Sequence, residues 1–244
     1  MKCTLFITFL ILSSSLFAQT YIGIPWREGT IIKDGQEING MIRLGGDLNA
    51  PWLNSTKVYF VTKDVYDTAK RIKKKMIKEY LPEDLEGYLT YTTDTNDKRV
   101  EMNFFTHEIM IMGALRKKKG KAFLRLFEKG EVNVYSYTPE PAKKIVTTTR
   151  ERREDVAYAK NQSQLFLKKS NDKLISAVDA DLIQILSGCP EVVEKIENES
   201  YGFQPKNKRP KRKGLGKFIS NAIGDNGLEA GILKAVIDYN NCVE

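Results

Sequence analysis

From about residue 28 to residue 168 the chain carries several runs that alternate apolar and polar positions with a period of two, separated by turn-forming residues. That pattern predicts half-buried strands. Glu28-Gly29-Thr30-Ile31-Ile32-Lys33 leads through Asp34-Gly35 into Gln36 to Leu44. Asp-Gly between β-rich runs predicts a tight hairpin, because both central residues of such a turn need φ > 0. Lys57 to Val61, Gly87 to Thr92 and Arg99 to Phe105 read as further strands. A second hairpin runs from Lys121 to Phe127, turns at Lys129-Gly130 and returns over Val132 to Tyr137. Alternation there puts Phe123, Arg125 and Phe127 on one face and Leu124 and Leu126 on the other. Lys143 to Arg150 and Gln164 to Lys168 complete the strand predictions.

Helical spacing enters in two places. Val65, Ala69, Ile72 and Met76 recur every three or four residues, which favours a helix over 64–78 with Asp64 near its cap. Its last part, Met76 to Leu81, also suits a strand. From Asp179 onward the period of two is lost. Asp179 reads as the N-cap of a helix carrying Leu182, Ile183, Ile185 and Leu186, which Gly188 closes. Pro190 is suited to open the next helix, with Val192, Val193 and Ile196 on one side. Further helical patterns cover Leu215 to Ile223 and Leu228 to Tyr239. Strands first and helices last argue an α+β protein. The expected organisation is an antiparallel sheet or small barrel-like β domain over 19–178, then a helical C-terminal subdomain over 179–244 with a basic loop at 206–217.

The first eighteen residues change the picture from fold to place. Lys2, the apolar run Cys3 to Leu12, and Ser13 to Ala18 have the layout of a secretory signal peptide. A membrane span needs roughly 20 apolar residues, about twice this run. The mature protein is therefore expected outside the cytoplasm, periplasmic or extracellular and without a transmembrane span. It keeps two cysteines, Cys189 and Cys242. In an oxidising compartment an even pair predicts a disulfide, and a closed loop of about 50 residues corresponds to about 4 kcal/mol in the chain-entropy model. Two isolated cysteines do not supply the four N or S ligands of a zinc site, and no metal or cofactor is expected.

The order of several short motifs carries a resemblance. Asp34-Gly35, Ile38, Gly40 and Ile42 come first, then Tyr80, Pro82, Asp84, Gly87 and Tyr88. Phe123, Leu124, Gly130, Tyr135 and Tyr137 follow, and the chain closes on Leu182, Leu186, Cys189, Pro190, Ile196, Tyr239, Asn240 and Cys242. Together they resemble a group of uncharacterised secreted or periplasmic proteins of Gram-negative bacteria. The resemblance implies an envelope location and supplies no catalytic residues. Lys206 to Gly214 reads as an insertion relative to the pattern.

Candidate chemistry is sparse. The chain has one histidine, His107, and lacks a G-x-S-x-G elbow, an H-E-x-x-H pair or a phosphate loop. The carboxylate pairs Glu83/Asp84 and Glu151/Glu154 sit in highly charged surroundings and read as solvated surface. Tyr88, Tyr91, Phe104, Phe105, Tyr135 and Tyr137 read as sheet packing rather than a ligand groove. The chain carries 39 Lys and Arg against 31 Asp and Glu, a net +8, which steers it toward anions. The densest run is Lys206, Lys208, Arg209, Lys211, Arg212, Lys213 and Lys217, beside an apolar helical stripe of Leu215, Phe218, Ile219, Ala222 and Ile223. A basic segment beside an amphipathic helix suits an anionic membrane surface; the other reading is that the stripe packs on the core and the lysines face water. The leading expectation is an exported, non-enzymatic envelope protein acting as a binding or structural module, its partner an anionic envelope component or another envelope protein. The alternative is a peripheral polyanion- or membrane-surface binder using 206–223.

Overall fold

The computed structural model describes residues 24–46, 50–93, 98–112, 117–141, 149–208 and 226–243. Its frame is one ten-stranded antiparallel sheet. The strands are β1 (Arg27–Lys33), β2 (Gln36–Leu44), β3 (Val58–Thr62), β4 (Lys78–Tyr80), β5 (Gly87–Thr93), β6 (Arg99–Met112), β7 (Lys117–Glu128), β8 (Val132–Tyr137), β9 (Gln164–Lys169) and β10 (Ile175–Ser176). Their order is β10-β9-β8-β7-β6-β5-β1-β2-β3-β4. Most neighbours are consecutive in the chain, β1–β2 and β7–β8 as tight hairpins and β2–β3, β3–β4 and β8–β9 through longer connections, the last over residues 138–163. At one point the chain leaves edge strand β4 and returns to pair β5 with β1. The sheet does not close into a barrel, and its edges are two- and three-residue strands, too short to template pairing with another chain. The protein is α+β.

The Asp34-Gly35 turn forms as the sequence predicts, with φ of 53° and 71° and β1 registered on β2 from Lys33↔Gln36 to Arg27↔Ile42. Alternation then sorts side chains to two faces. On one, Ile31, Ile42, Leu44, Val58, Phe60, Tyr88, Phe104 and Phe123 form a buried cluster. Tyr88 stacks on Phe104 at 4.6 Å and meets Phe123 edge-on at 5.0 Å. Its hydroxyl donates to the Asn54 carbonyl at 2.9 Å, so the 3-10 turn Pro51–Ser55 is drawn over this face. The opposite face buries Ile109, Ala122, Leu124, Tyr135, Tyr137 and Phe166. Phe123 and Arg125 lie on the face opposite Leu124, as the alternation predicts. A bulge between Leu126 and Glu128 breaks the pattern at Phe127, whose side chain is half-exposed.

The helices are α1 (Lys63–Thr68), α2 (Thr149–Asn161), α3 (Leu182–Ile185), α4 (Pro190–Glu197) and α5 (Asn226–Val243). A third cluster joins the last three to the sheet: Val132, Val134, Leu165 and Leu167 pack with Leu186, Val192, Ile196, Ile232, Val236 and Tyr239. Helices and sheet thus share one core at the β8–β9 end.

Several local predictions need correction. The helix over 64–78 stops at Thr68, and the chain continues through a 3-10 turn, Lys74–Met76, into β4. Lys70, Arg71, Lys73, Lys74 and Lys75 would set like charges three and four residues apart on a helix, and pairing of Lys78 to Tyr80 with β3 offers the alternative. The strand read over Lys143 to Arg150 is not found at its end, where Thr149 and Arg150 open α2; 142–148 lie outside the described residues. Asp181, not Asp179, caps α3, its side chain accepting from the Gln184 N–H at 3.3 Å. β6 and β7 run well beyond their predicted ends. The helix predicted over Leu215 to Ile223 lies outside the described residues.

Candidate functional site

Cys189 and Cys242 stand at bonding distance, with Cα atoms 6.2 Å apart across a separation of 53 residues. They tie the start of α4 to the last turn of α5. Of the basic run, Lys206 and Lys208 are described and exposed. The Lys206 ammonium donates to the Asp179 carbonyl. The Lys208 ammonium donates to the carbonyl of Glu197, the last residue of α4, at 2.9 Å, where a cation also complements the helix dipole. Arg209, Lys211, Arg212, Lys213 and Lys217 lie outside the described residues, as do the apolar stripe beside them and residues 1–18.

His107 sits on β6 opposite Ala122, its ring edge-on to Tyr135 at 4.6 Å, with Nε2 buried and unpartnered among the described residues. Burial first, and then the charge of Lys168, push its pKa from 6.5 down to about 4. Because the folded-state value lies below the unfolded one, native stability is full above about pH 6.5 and declines as pH falls toward 4. We expect a loss of about 1–2 kcal/mol over that window, allowing for the partly exposed ring. Thermal melts between pH 7 and 4 should show this slope, and His107→Leu should flatten it; an unchanged slope would assign the pH dependence elsewhere.

Of the aromatic residues, Tyr88, Phe104, Tyr135 and Tyr137 are buried in the sheet. Tyr91 is not, and it marks a groove. The groove holds about 240 Å³ and is lined by Glu28, Gly29, Thr30, Asn39, Gly40, Lys63, Tyr91 and Arg99. Alternation brings these side chains to one face. Thr30 is opposite Asn39, and the Gly29↔Thr90 pair sets Glu28 beside Tyr91. Lys63 follows directly on β3. Arg99, at the start of β6, folds back so that its guanidinium lies 3.7 Å from the Tyr91 ring centroid. Gly29 and Gly40 face each other across the β1–β2 ladder. A Cβ on Gly40 would stand 2.5 Å from the Phe60 ring and from the Val61 carbonyl. Glycine there lets Phe60 close the core directly beneath the groove.

Charge is distributed loosely. The Glu28 carboxylate lies 3.4 Å from Arg99 Nη2 and 3.9 Å from Lys63 Nζ, and Lys63 also approaches Asp67 at 3.5 Å. All of these side chains are more than half exposed, so each pair contributes at most about 1 kcal/mol. The Thr30 hydroxyl donates to Asn39 Oδ1 at 2.7 Å. That leaves the Asn39 amide NH₂ as a donor toward the groove. The arrangement offers a guanidinium, an ammonium, a carboxylate and an amide within one open pocket, held by strands rather than loops.

The chain matches no protein-family model, no curated protein and no solved structure.

Sequence reasoning did not find this groove. Glu28 and Arg99 are 71 positions apart, and only the return of β5 to the side of β1 brings them together. The usable signal was the alternation itself, which places Glu28, Thr30 and Ile32 on one face of β1. The β1–β5 pairing that completes the site has no local signature.

Proposed function

We propose that this is an exported, non-enzymatic protein of the cell envelope that acts as a binding module, with the groove between β1, β2 and β5 as its recognition site for a small, hydroxyl-rich polar ligand such as a sugar unit of an envelope glycan. The observation that carries this reading is the set of polar groups around Glu28. Donors of both geometries, Arg99 and Lys63, stand with the acceptor Glu28 and the amide of Asn39, a combination suited to the mixed donor and acceptor pattern of hydroxyl groups. Their exposure favours recognition over chemistry. Catalytic electrostatics gain their strength in water-excluded sites, and this groove is open to water. The layout of the first eighteen residues and the Cys189–Cys242 pair support export.

The test is binding to an array of neutral, amino and acidic sugars, followed by calorimetry on the best ligand. Arg99→Ala and Asn39→Ala should each weaken that binding by about tenfold and leave the melting temperature within about 2 °C, as expected for exposed positions. Binding that survives both substitutions, or an array with no ligand at all, would overturn the reading.

A further inference from the structure

A second charged feature lies on the same sheet face, toward the far end of β2. Arg43 is two residues beyond Met41, which stands opposite Glu28, so it lies roughly 7 Å along the strand from the groove. Its guanidinium is held between two aromatic rings, with Cζ 5.1 Å from the Trp26 centroid and 4.6 Å from that of Tyr59, its cross-strand partner. Trp26 is itself braced by Tyr66 of α1 at 6.3 Å. Lys57 shares the same tyrosine. Its ammonium lies 5.4 Å from the Tyr59 centroid. Among the described residues Arg43 has no hydrogen-bond or ion-pair partner. Across the β3–β4 ladder from Tyr59 stands one carboxylate, Glu79, against two cations.

Two cations gathered on one ring, on a chain already at +8, repel each other. Arginines near a surface ordinarily reach solvent or a carboxylate; Arg43 is half-buried, and ring stacking holds its guanidinium and removes much of the entropy that immobilising an arginine costs. The fork of donors that stacking leaves free is preorganised for an oxyanion. The second cation approaches from another side chain, Lys57, which immediately precedes β3. A planar carboxylate is satisfied by the arginine fork alone, whereas a tetrahedral phosphate can accept from the fork and from an ammonium together.

We propose that Arg43, clamped between Trp26 and Tyr59 with Lys57 on the same tyrosine, is a binding site for a phosphate group, either free or as a lipid headgroup. The site is separate from the sugar-type groove, and its reality does not depend on that reading.

Trp26 provides the readout. The chain has two tryptophans, and Trp52→Phe leaves Trp26 as the single reporter beside Arg43. In that protein, sodium phosphate at constant ionic strength should give a saturable change in Trp26 fluorescence that sodium chloride does not. Arg43→Gln should weaken the phosphate response about tenfold or more. Lys57→Gln, which leaves the Trp26–Arg43–Tyr59 stack in place, should weaken it several-fold. Arg99→Ala should leave it unchanged, which separates this site from the groove. Vesicles of phosphatidic acid in phosphatidylcholine, compared with pure phosphatidylcholine, decide the source: a response to the acidic vesicles stronger than to free phosphate assigns a headgroup, and the reverse assigns a soluble phosphate. Equal responses to phosphate and chloride, or a phosphate response untouched by both Arg43→Gln and Lys57→Gln, would overturn the proposal.

Discussion

Replacing both Cys189 and Cys242 with serine should lower the melting temperature by on the order of 10 °C. The two residues close a loop of 53 residues, and the chain-entropy model assigns a loop of that size about 4 kcal/mol. The geometry makes the constraint consequential. Cys189 is buried at the start of α4, and Cys242 lies in the last turn of α5. The chain between them includes the whole basic run. Without the bond, α5 is held to the sheet only by its apolar face and a few polar contacts. One of these joins the Leu165 N–H to the Glu229 carboxylate at 3.0 Å; the Tyr201 hydroxyl, in the turn that follows α4, donates to the Asp238 carboxylate at 2.9 Å and ties α5 to that segment instead. Burial and that carboxylate both push the Tyr201 hydroxyl pKa well up, so the pair stays intact at any physiological pH. Calorimetry of the double-serine protein and of the native protein with and without reductant is the check. A native melting temperature insensitive to reductant would show that the helices need no covalent tie.

The parts of this fold that could be read in the sequence are those fixed by contacts close along the chain. Asp34-Gly35 specifies its own hairpin because the residues that need positive φ are the ones at the turn. Pro190 opens α4 for the same local reason. The burial of Tyr88, Phe104, Phe123, Tyr135 and Tyr137 on the strands was readable as sheet packing. What could not be read depends on distant partners. Thr149 to Asn161 forms a helix although its sequence, rich in Arg, Glu and Lys, shows little apolar periodicity; Asp155 and Ala159 are buried on it, and tertiary context overrides weak local preference. β6 and β7 extend past their neighbours because each supplies the other's ladder, from Thr106↔Phe123 to Met112↔Lys117. The groove needed the β1–β5 pairing, and the Arg43 clamp needed α1 to bring Tyr66 behind Trp26. The Lys206 to Lys217 run was conspicuous in sequence because charge density is local. Its two described lysines, Lys206 and Lys208, are engaged with backbone carbonyls.

The terminal motif around Asn240 found its explanation in packing, and it carries the second large prediction. Asn240 is 2 % exposed. Its side chain grips the backbone of Val132 at the start of β8: Oδ1 accepts from the Val132 N–H and Nδ2 donates to the Val132 carbonyl, each at 3.0 Å. The amide thus serves Val132 as the peptide group of a neighbouring strand would, and ties α5 to the sheet. Asn240→Ala leaves a buried N–H and a buried carbonyl without partners, a loss of about 2–4 kcal/mol, and should abolish the hydrogen-exchange protection of the Val132 amide. The same geometry explains Gly130. Its φ is not in the left-handed region, so backbone freedom is not the reason for glycine there; a Cβ would instead stand 2.8 Å from Asn240 Oδ1 and closer still to the rest of the amide. Gly130→Ala should therefore destabilise the native protein by about 1–3 kcal/mol through overpacking. In the Asn240→Ala background the obstructing atoms are gone, and Gly130→Ala should be nearly silent. A double-mutant cycle by urea denaturation measures this coupling directly. Additive losses would mean that Gly130 is constrained by something other than the Asn240 amide, and that the amide does not seat α5 against the β7–β8 turn in the way its contacts indicate.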